Sequence, residues 1–344
     1  MTARGRSRTT HRDEDDRRRT RTLIRSVART SARGPDCYRR ARIAGRVADR
    51  RTRSWSREEA RAVDFWCSAT YEPWSWTPRP YLGAWLLSAA LLAWYFLARA
   101  RLAPPRDGAP SRRQIASFVG GVVALHLATD WPIAALGGGY LASAHVVQFI
   151  LISFVAMPLL LAGVPAWLAR RVLRSGGIAV ARWLARPLPA LAIFNGTLLA
   201  THSPLLLDPS LESQVAKLVI DLAWILAAIV LWMPVLSPLP EVPRLSPPAQ
   251  MAYLFGQSVL PTIPASFLTF AAFPLYEVYE LAPPVHGFDA TMDQRFAGLA
   301  MKVVAGLLLW VRIARIWFRW SASEEADPPP PTAGTADEVA SRPL

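Results

Sequence analysis

Seven apolar runs, each close to the length that crosses a bilayer, leave this chain few folds to choose from. They lie at 81–99, 115–135, 142–164, 187–203, 215–236, 250–273 and 294–317, against the roughly 20 residues a helix needs to cross a hydrocarbon core. Inside lipid no water serves the backbone, so segments of this composition bond their N–H and C=O groups internally as helices. The expected fold is all-α, a polytopic membrane bundle of about seven transmembrane helices. Pro187 and Pro189 open the fourth run, where proline is tolerated. Pro261 and Pro264 fall inside the sixth and are expected to kink it.

Formal net charge is +14 over 344 residues, and its placement matters more than its size. Residues 1–62 hold 20 Arg against 8 Asp or Glu, a net of +12, which leaves only +2 for the other 282 residues. The body is near neutral, and no nucleic-acid partner is expected. Residues 1–62 read as an Arg-rich disordered tail. The next methionine after Met1 is Met157, so a mis-assigned start is the expectation for this tail. Residues 63–320 then form the seven-helix membrane domain, and 321–344 a Pro-rich disordered tail. Cys37 and Cys67 lack a CxxC partner, which implies neither a zinc site nor a disulfide framework.

Arginine placement orients the bundle. Arg99, Arg101, Arg106, Arg112 and Arg113 fill the first connection, Arg170, Arg171, Arg174, Arg182 and Arg186 the third, and Arg312, Arg315 and Arg319 end the last run. The second, fourth and sixth connections, "DWPIAALGGGY", "HSPLLLDPSLESQ" and "YEVYELAPPVHGFDATMDQ", contain no Lys or Arg. The expected topology has the N-terminus outside and the C-terminus cytoplasmic, with Trp66, Trp74 and Trp76 in an outer interfacial belt.

On this topology His126, His145, His202 and His286 all face the outer side. His126 and Asp130 are four apart and share a helical face, so the carboxylate is placed to orient the imidazole. His145 and Gln148 share a face in the same way, and Met292 and Asp293 open the seventh run. Imidazole with thioether suits copper, above all Cu(I). The expected metal set is therefore His145, His126, His202, Asp130, Met292 and Asp293, holding copper transiently. Interfacial histidines bonded to water or carbonyls are the alternative, and both readings stay open at this point. Lys217, Asp221 and Lys302 lie within spans, where an ionisable group is expected to have a partner. Asp221 pairs with Lys217 along its own helix or with Lys302 across helices. Ser143, Ser153 and Ser203 lack a nucleophile motif, and neither a phosphate loop nor HExxH occurs, so no enzyme is expected.

The stretch "HLATDWPIAALGGGYLASAHVVQFILISFVAMPLLLAGVP", with "THSPLLLDPS", "LWMPVLSPLP", "PLYEVYE" and "DQRFAGLAMK", resembles the CtaG-type (caa3-type) cytochrome c oxidase assembly proteins of bacteria over about residues 72–318. "SAHVVQ" and "DQRFAG", with Gln148, Gln294 and Gly298 among their motif positions, are the most specific pieces. The resemblance implies a multi-pass assembly factor of the bacterial inner membrane that works with cytochrome c oxidase subunits, and a periplasmic copper donor as a further partner. Lipid is its solvent. The family pattern typically reads His-Met-x-Gln-His, whereas this chain has His145, Val146, Val147, Gln148 and Phe149. Half of that histidine pair is missing here, so copper handling rests on His126 or His202 as a substitute. A scaffold for oxidase subunits that binds no metal, and a transporter of small solutes or metal, are the competing functions.

Overall fold

A computed structural model describes residues 64–102, 109–285, 287 and 289–326. The expectations for the tail at 1–62, for most of the tail at 321–344 and for His286 lie outside the described residues.

No strand occurs among the described residues. The helices are α1 (Leu82–Leu102), α2 (Arg112–Thr129), α3 (Ile133–Gly139), α4 (Ala142–Ile150), α5 (Met157–Gly163), α6 (Ala166–Leu184), α7 (Pro187–Thr201), α8 (Pro204–Leu211), α9 (Gln214–Leu236), α10 (Pro247–Val259), α11 (Thr262–Phe270), α12 (Glu277–Glu280) and α13 (Ala290–Ala326). A π-helical turn, Leu151–Ala156, joins α4 to α5. Helix starts follow local chemistry. Ser111 and Gln114 form a reciprocal capping box at α2, Ser213 caps α9, and prolines open α7, α8 and α10, where the missing N–H is no loss.

Among the described residues four helices are long and apolar enough to cross a membrane: α1, the α4–π–α5 unit, α9 and α13. Two bent pairs raise the number to six: α2 with α3, at 41°, and the second half of α6 with α7, at 80°. The 250–273 run is broken at Leu260–Pro261 into helices of 13 and 9 residues. Pro261 stands at that break and Pro264 inside the second piece, and neither piece alone reaches the length of a span. At 1.5 Å per residue, the 37 residues of α13 extend about 55 Å. That is longer than the hydrocarbon core of a bilayer, about 30 Å, and the helix continues through 321–326.

The α4–π–α5 unit packs against α2, α9 and α13, α7 lies on α9, and α10 and α11 both lie on α13. Small residues set the closest crossings. A Cβ on Gly163 of α5 would stand 2.7 Å from Phe118 Cα on α2, and one on Gly298 of α13 would meet Thr269 Oγ1 and stand 2.7 Å from the Ala265 carbonyl. Buried amides act as polar glue. Asn195 Nδ2 donates to Gln257 Oε1 at 2.7 Å, and Gln257 Nε2 donates to Tyr253 Oη at 3.0 Å. Tyr253 in turn donates to the Leu231 carbonyl.

Residues 64–80 have no regular structure, yet they are tied into the bundle. Gly83 N donates to the Phe65 carbonyl at 2.8 Å, and Ala69 N to the Leu211 carbonyl at 2.7 Å. A Cβ on Gly83 would sit 2.7 Å from the Trp66 ring. Trp66 is therefore buried, at 2 % exposure, and does not belong to an interfacial belt. Trp74 and Trp76, by contrast, pack edge-on against each other and against Tyr140 and Trp131.

Candidate functional site

The N-terminus of α4 has no side-chain cap of its own, and its first free N–H groups need an acceptor. Asp293, from the first turn of α13, supplies one. Its carboxylate accepts from Ala142 N at 2.6 Å, from Ser143 N at 3.3 Å and from Ser143 Oγ. A negative charge there also complements the helix dipole. Asp293 is thus committed as a cap in trans, and one turn further along α4 stands His145.

His145 is buried at 2 % and His202, the residue that closes α7, at 7 %. Their ring centroids are 6.1 Å apart. Trp224 from α9 stacks on His202 at 6.0 Å and meets His145 edge-on at 5.0 Å. Its indole N–H donates to Thr201 Oγ1. Phe149, one turn after His145, packs 5.5 Å from His202 and 5.2 Å from Trp224. Tyr276 donates to the His202 carbonyl, and Tyr279 to the Gly137 carbonyl. Gly137 backs directly on His145, for a Cβ there would stand 2.9 Å from His145 N.

The nitrogens give this cluster its chemistry. His202 Nδ1 is 2.9 Å from the Leu198 carbonyl, which makes it the protonated nitrogen and leaves a lone pair on Nε2. His202 Nε2 and both ring nitrogens of His145 are buried without a hydrogen-bond partner. Both imidazoles border a small cavity closed by Tyr276, Tyr279, Leu207 and Ala297. A buried lone pair without a donor is costly; each neutral imidazole has one such nitrogen, so two neighbouring imidazoles offer two acceptor nitrogens to a cation or a donor. No group of three or more His, Cys, Asp or Glu among the described residues is placed to hold a metal. The donor set here is two imidazoles walled by aromatic rings.

Beside it lies a buried charge network. Lys217 and Asp221 pair along α9 with both side chains at 0 % exposure. Gln148 Oε1 accepts from Lys217 Nζ at 3.2 Å, and Trp66 Nε1 donates to Asp221 Oδ2 at 2.8 Å. Lys217 also stands 5.2 Å over the Trp224 ring, linking this network to the histidine pair. Lys302 takes no part; its ammonium donates to Thr262 Oγ1 on α11.

His126 and Asp130 form a separate group with α1. His126 Nδ1 lies 3.1 Å from Ser88 Oγ, and its Nε2 lies 3.6 Å from Asp130 Oδ2. Asp130 accepts from Tyr81 N and from Trp85 Nε1, so its oxygens hold the start of α1. Met292 is 52 % exposed. None of His126, Asp130 or Met292 lines the His145–His202 cavity. Gln294 accepts from Leu275 N at 2.7 Å and donates to the Leu268 carbonyl at 3.3 Å, and Gly298 serves helix packing. Burial pushes the Cys67 thiol up to about 12, so it stays protonated at neutral pH and is a poor metal ligand.

Trp224, Tyr276, Tyr279 and Gly137 were not singled out by sequence reasoning. The two tyrosines lie in "PLYEVYE", a polar-aromatic string between apolar runs, and that was their available signal. Trp224 sits among aliphatic residues and offered none.

A family model described as cytochrome c oxidase caa3 assembly factor matches residues 93–323. No curated protein and no solved structure matches the chain.

Proposed function

Because the chain belongs to the cytochrome c oxidase caa3 assembly factor family, we propose that it helps mature the oxidase by holding copper transiently between His145 and His202 and presenting it on the outer face of the bacterial inner membrane. The carrying observation is a pair of buried imidazoles that border one small cavity and whose ring nitrogens, His202 Nδ1 apart, lack a hydrogen-bond partner. Copper is cargo here and no resident cofactor. Two imidazoles without a third ligand suit Cu(I), which accepts low coordination, better than Zn²⁺, which takes four ligands. The Nδ1 bond of His202 to a backbone carbonyl is the kind of support that fixes a ligand's tautomer. Phe149 stands where relatives carry a second histidine, and His202 supplies the partner from another helix.

The proposed topology has seven spans, counting the broken α10–α11 pair as one, with the N-terminus outside and the C-terminus cytoplasmic. The arginine-free connections at 130–140 and 202–214 support it. A periplasmic copper donor then reaches the site without metal crossing the membrane.

A scaffold for oxidase subunits is the second reading, favoured by the structural use of Asp293, Gln294 and Gly298. The deciding experiment measures haem and copper in oxidase purified from a strain lacking the protein, complemented with wild type, His145→Ala or His202→Ala. Copper presentation predicts haem-replete, copper-poor oxidase in the deletion strain and in both variants. Oxidase with full copper in both variants would overturn it in favour of the scaffold.

A further inference from the structure

Arg312, Arg315 and Arg319 follow one another by three and four residues, so they share one face of α13. Arg244, in the connection from α9 to α10, stands within electrostatic reach of Arg312, as do Arg315 and Arg319. Arg244 Nε donates to the Ser237 carbonyl at 3.0 Å, which fixes its guanidinium at this end of the bundle. Arg312 Nε is shut away from solvent without an acceptor. Among the described residues no ion pair joins any of the four to a carboxylate; Glu241 is taken by Arg170, and Glu324 accepts from Trp320. Like charges on one helix face, one of them with a guanidinium nitrogen shut from solvent and unserved, repel one another unless an anion lies beside them.

The surroundings define that anion. Trp310 and Trp317 are half-exposed on the same helix, Phe318 more so, and Trp317 packs on Trp320. Aromatic side chains are enriched where acyl chains give way to headgroups. An acceptor with several oxygens, negatively charged and resident at that depth, is the phosphate of an anionic phospholipid, and guanidinium forks match phosphate oxygens.

We propose that Arg244, Arg312, Arg315 and Arg319 form a binding site for the phosphate headgroup of an anionic phospholipid, seated between α13 and the connection from α9 to α10. This site lies apart from the histidine pair and does not depend on copper.

The full chain, purified in a neutral detergent, is mixed with phosphatidylglycerol, phosphatidylcholine or inorganic phosphate, and bound lipid is read by native mass spectrometry. Phosphatidylglycerol retained in preference to phosphatidylcholine is the expected result. At about 1 kcal/mol per arginine, retention falls about fivefold in Arg315→Gln and about 25-fold in Arg312→Gln/Arg315→Gln. Arg315 is exposed, so the single variant keeps the test valid if the double variant fails to fold. Equal retention of both lipids, or retention unchanged in Arg315→Gln, overturns the site. Release of phosphatidylglycerol by millimolar inorganic phosphate would overturn the lipid assignment and mark a soluble phosphate as the occupant.

Discussion

Asp221 is fully buried and bonds partners from separate elements of the chain. Lys217 neutralises it, Trp66 donates to it, and Gln148 lies 3.5 Å from it. Removing one member of a buried ion pair leaves the other charge uncompensated, at a cost of about 3–5 kcal/mol. Asp221→Asn is therefore expected to abolish most recoverable folded protein, while Lys217→Met/Asp221→Leu, which removes both charges, recovers much of it. Thermal stability of the detergent-solubilised chain, followed by size-exclusion chromatography, measures this. A double variant as unstable as Asp221→Asn would contradict the argument. Trp66→Phe keeps an aromatic ring but trims the buried indole and deletes one bond to a charged acceptor; the bond alone is worth about 1.5–3 kcal/mol, and lost packing adds to it. The i, i+4 spacing of Lys217 and Asp221 was readable from sequence. The role of Trp66 was not, because a tryptophan ahead of a first span looks the same whether it floats at an interface or reaches a buried carboxylate 155 positions away.

At the scale of elements, α4 shows how a helix start is set by a distant segment. Its sequence offers no capping side chain of its own, and Asp293 on α13 takes that place. Asp293→Ala is expected to cost about 1–2 kcal/mol and to loosen the helix that holds His145. Hydrogen exchange at Ala142 and Ser143 should rise, while exchange in α9 stays as it was. Helix α6 is tied differently, by Arg170 Nε bonding Glu241 Oε1 and Arg182 Nε bonding the Glu241 carbonyl. The Arg170 bond holds the Glu241 carboxyl below its ordinary value of 4.5. A depressed carboxylate contributes fully above its unfolded pKa, and that contribution is lost as pH falls through the folded one. Exchange in α6, corrected for its intrinsic pH dependence, should therefore increase as pH drops below about 4.5. In Glu241→Gln this pH response should vanish; its survival would place the tie elsewhere. Helix existence was legible from apolar length at every run. Breaks were less so: the sequence marked Pro261 and Pro264, but whether proline kinks a span or ends it depends on what receives the freed carbonyls, and that is a tertiary matter.

For the whole molecule, the histidine pair exists only where four parts of the chain converge. His145 comes from α4, His202 from the end of α7, Trp224 from α9 and Tyr279 from α12. Residue types and their placement near helix ends were visible in the sequence, and His145 with His202 stood among the candidates. Which candidates meet was hidden, since nothing in the spacing of His126, Asp130 or Met292 separates them from residues that share the cavity. A site assembled from four elements also couples ligand to fold. A ligand that binds only the assembled state stabilises it by RT ln(1 + [L]/Kd), about 2.7 kcal/mol at a hundredfold excess over Kd. Copper held between His145 and His202 should therefore raise the melting temperature of the purified protein under reducing, anaerobic conditions. The rise should be absent in His145→Ala and in His202→Ala, and retained in His126→Ala, whose imidazole lies outside the cavity. Phe149→His would add a third imidazole beside Trp224 and should extend the response to Zn²⁺, which two ligands alone hold poorly. A scaffold whose histidines merely fill space predicts no metal-dependent shift in any of these proteins, and a flat response across the series would decide for it.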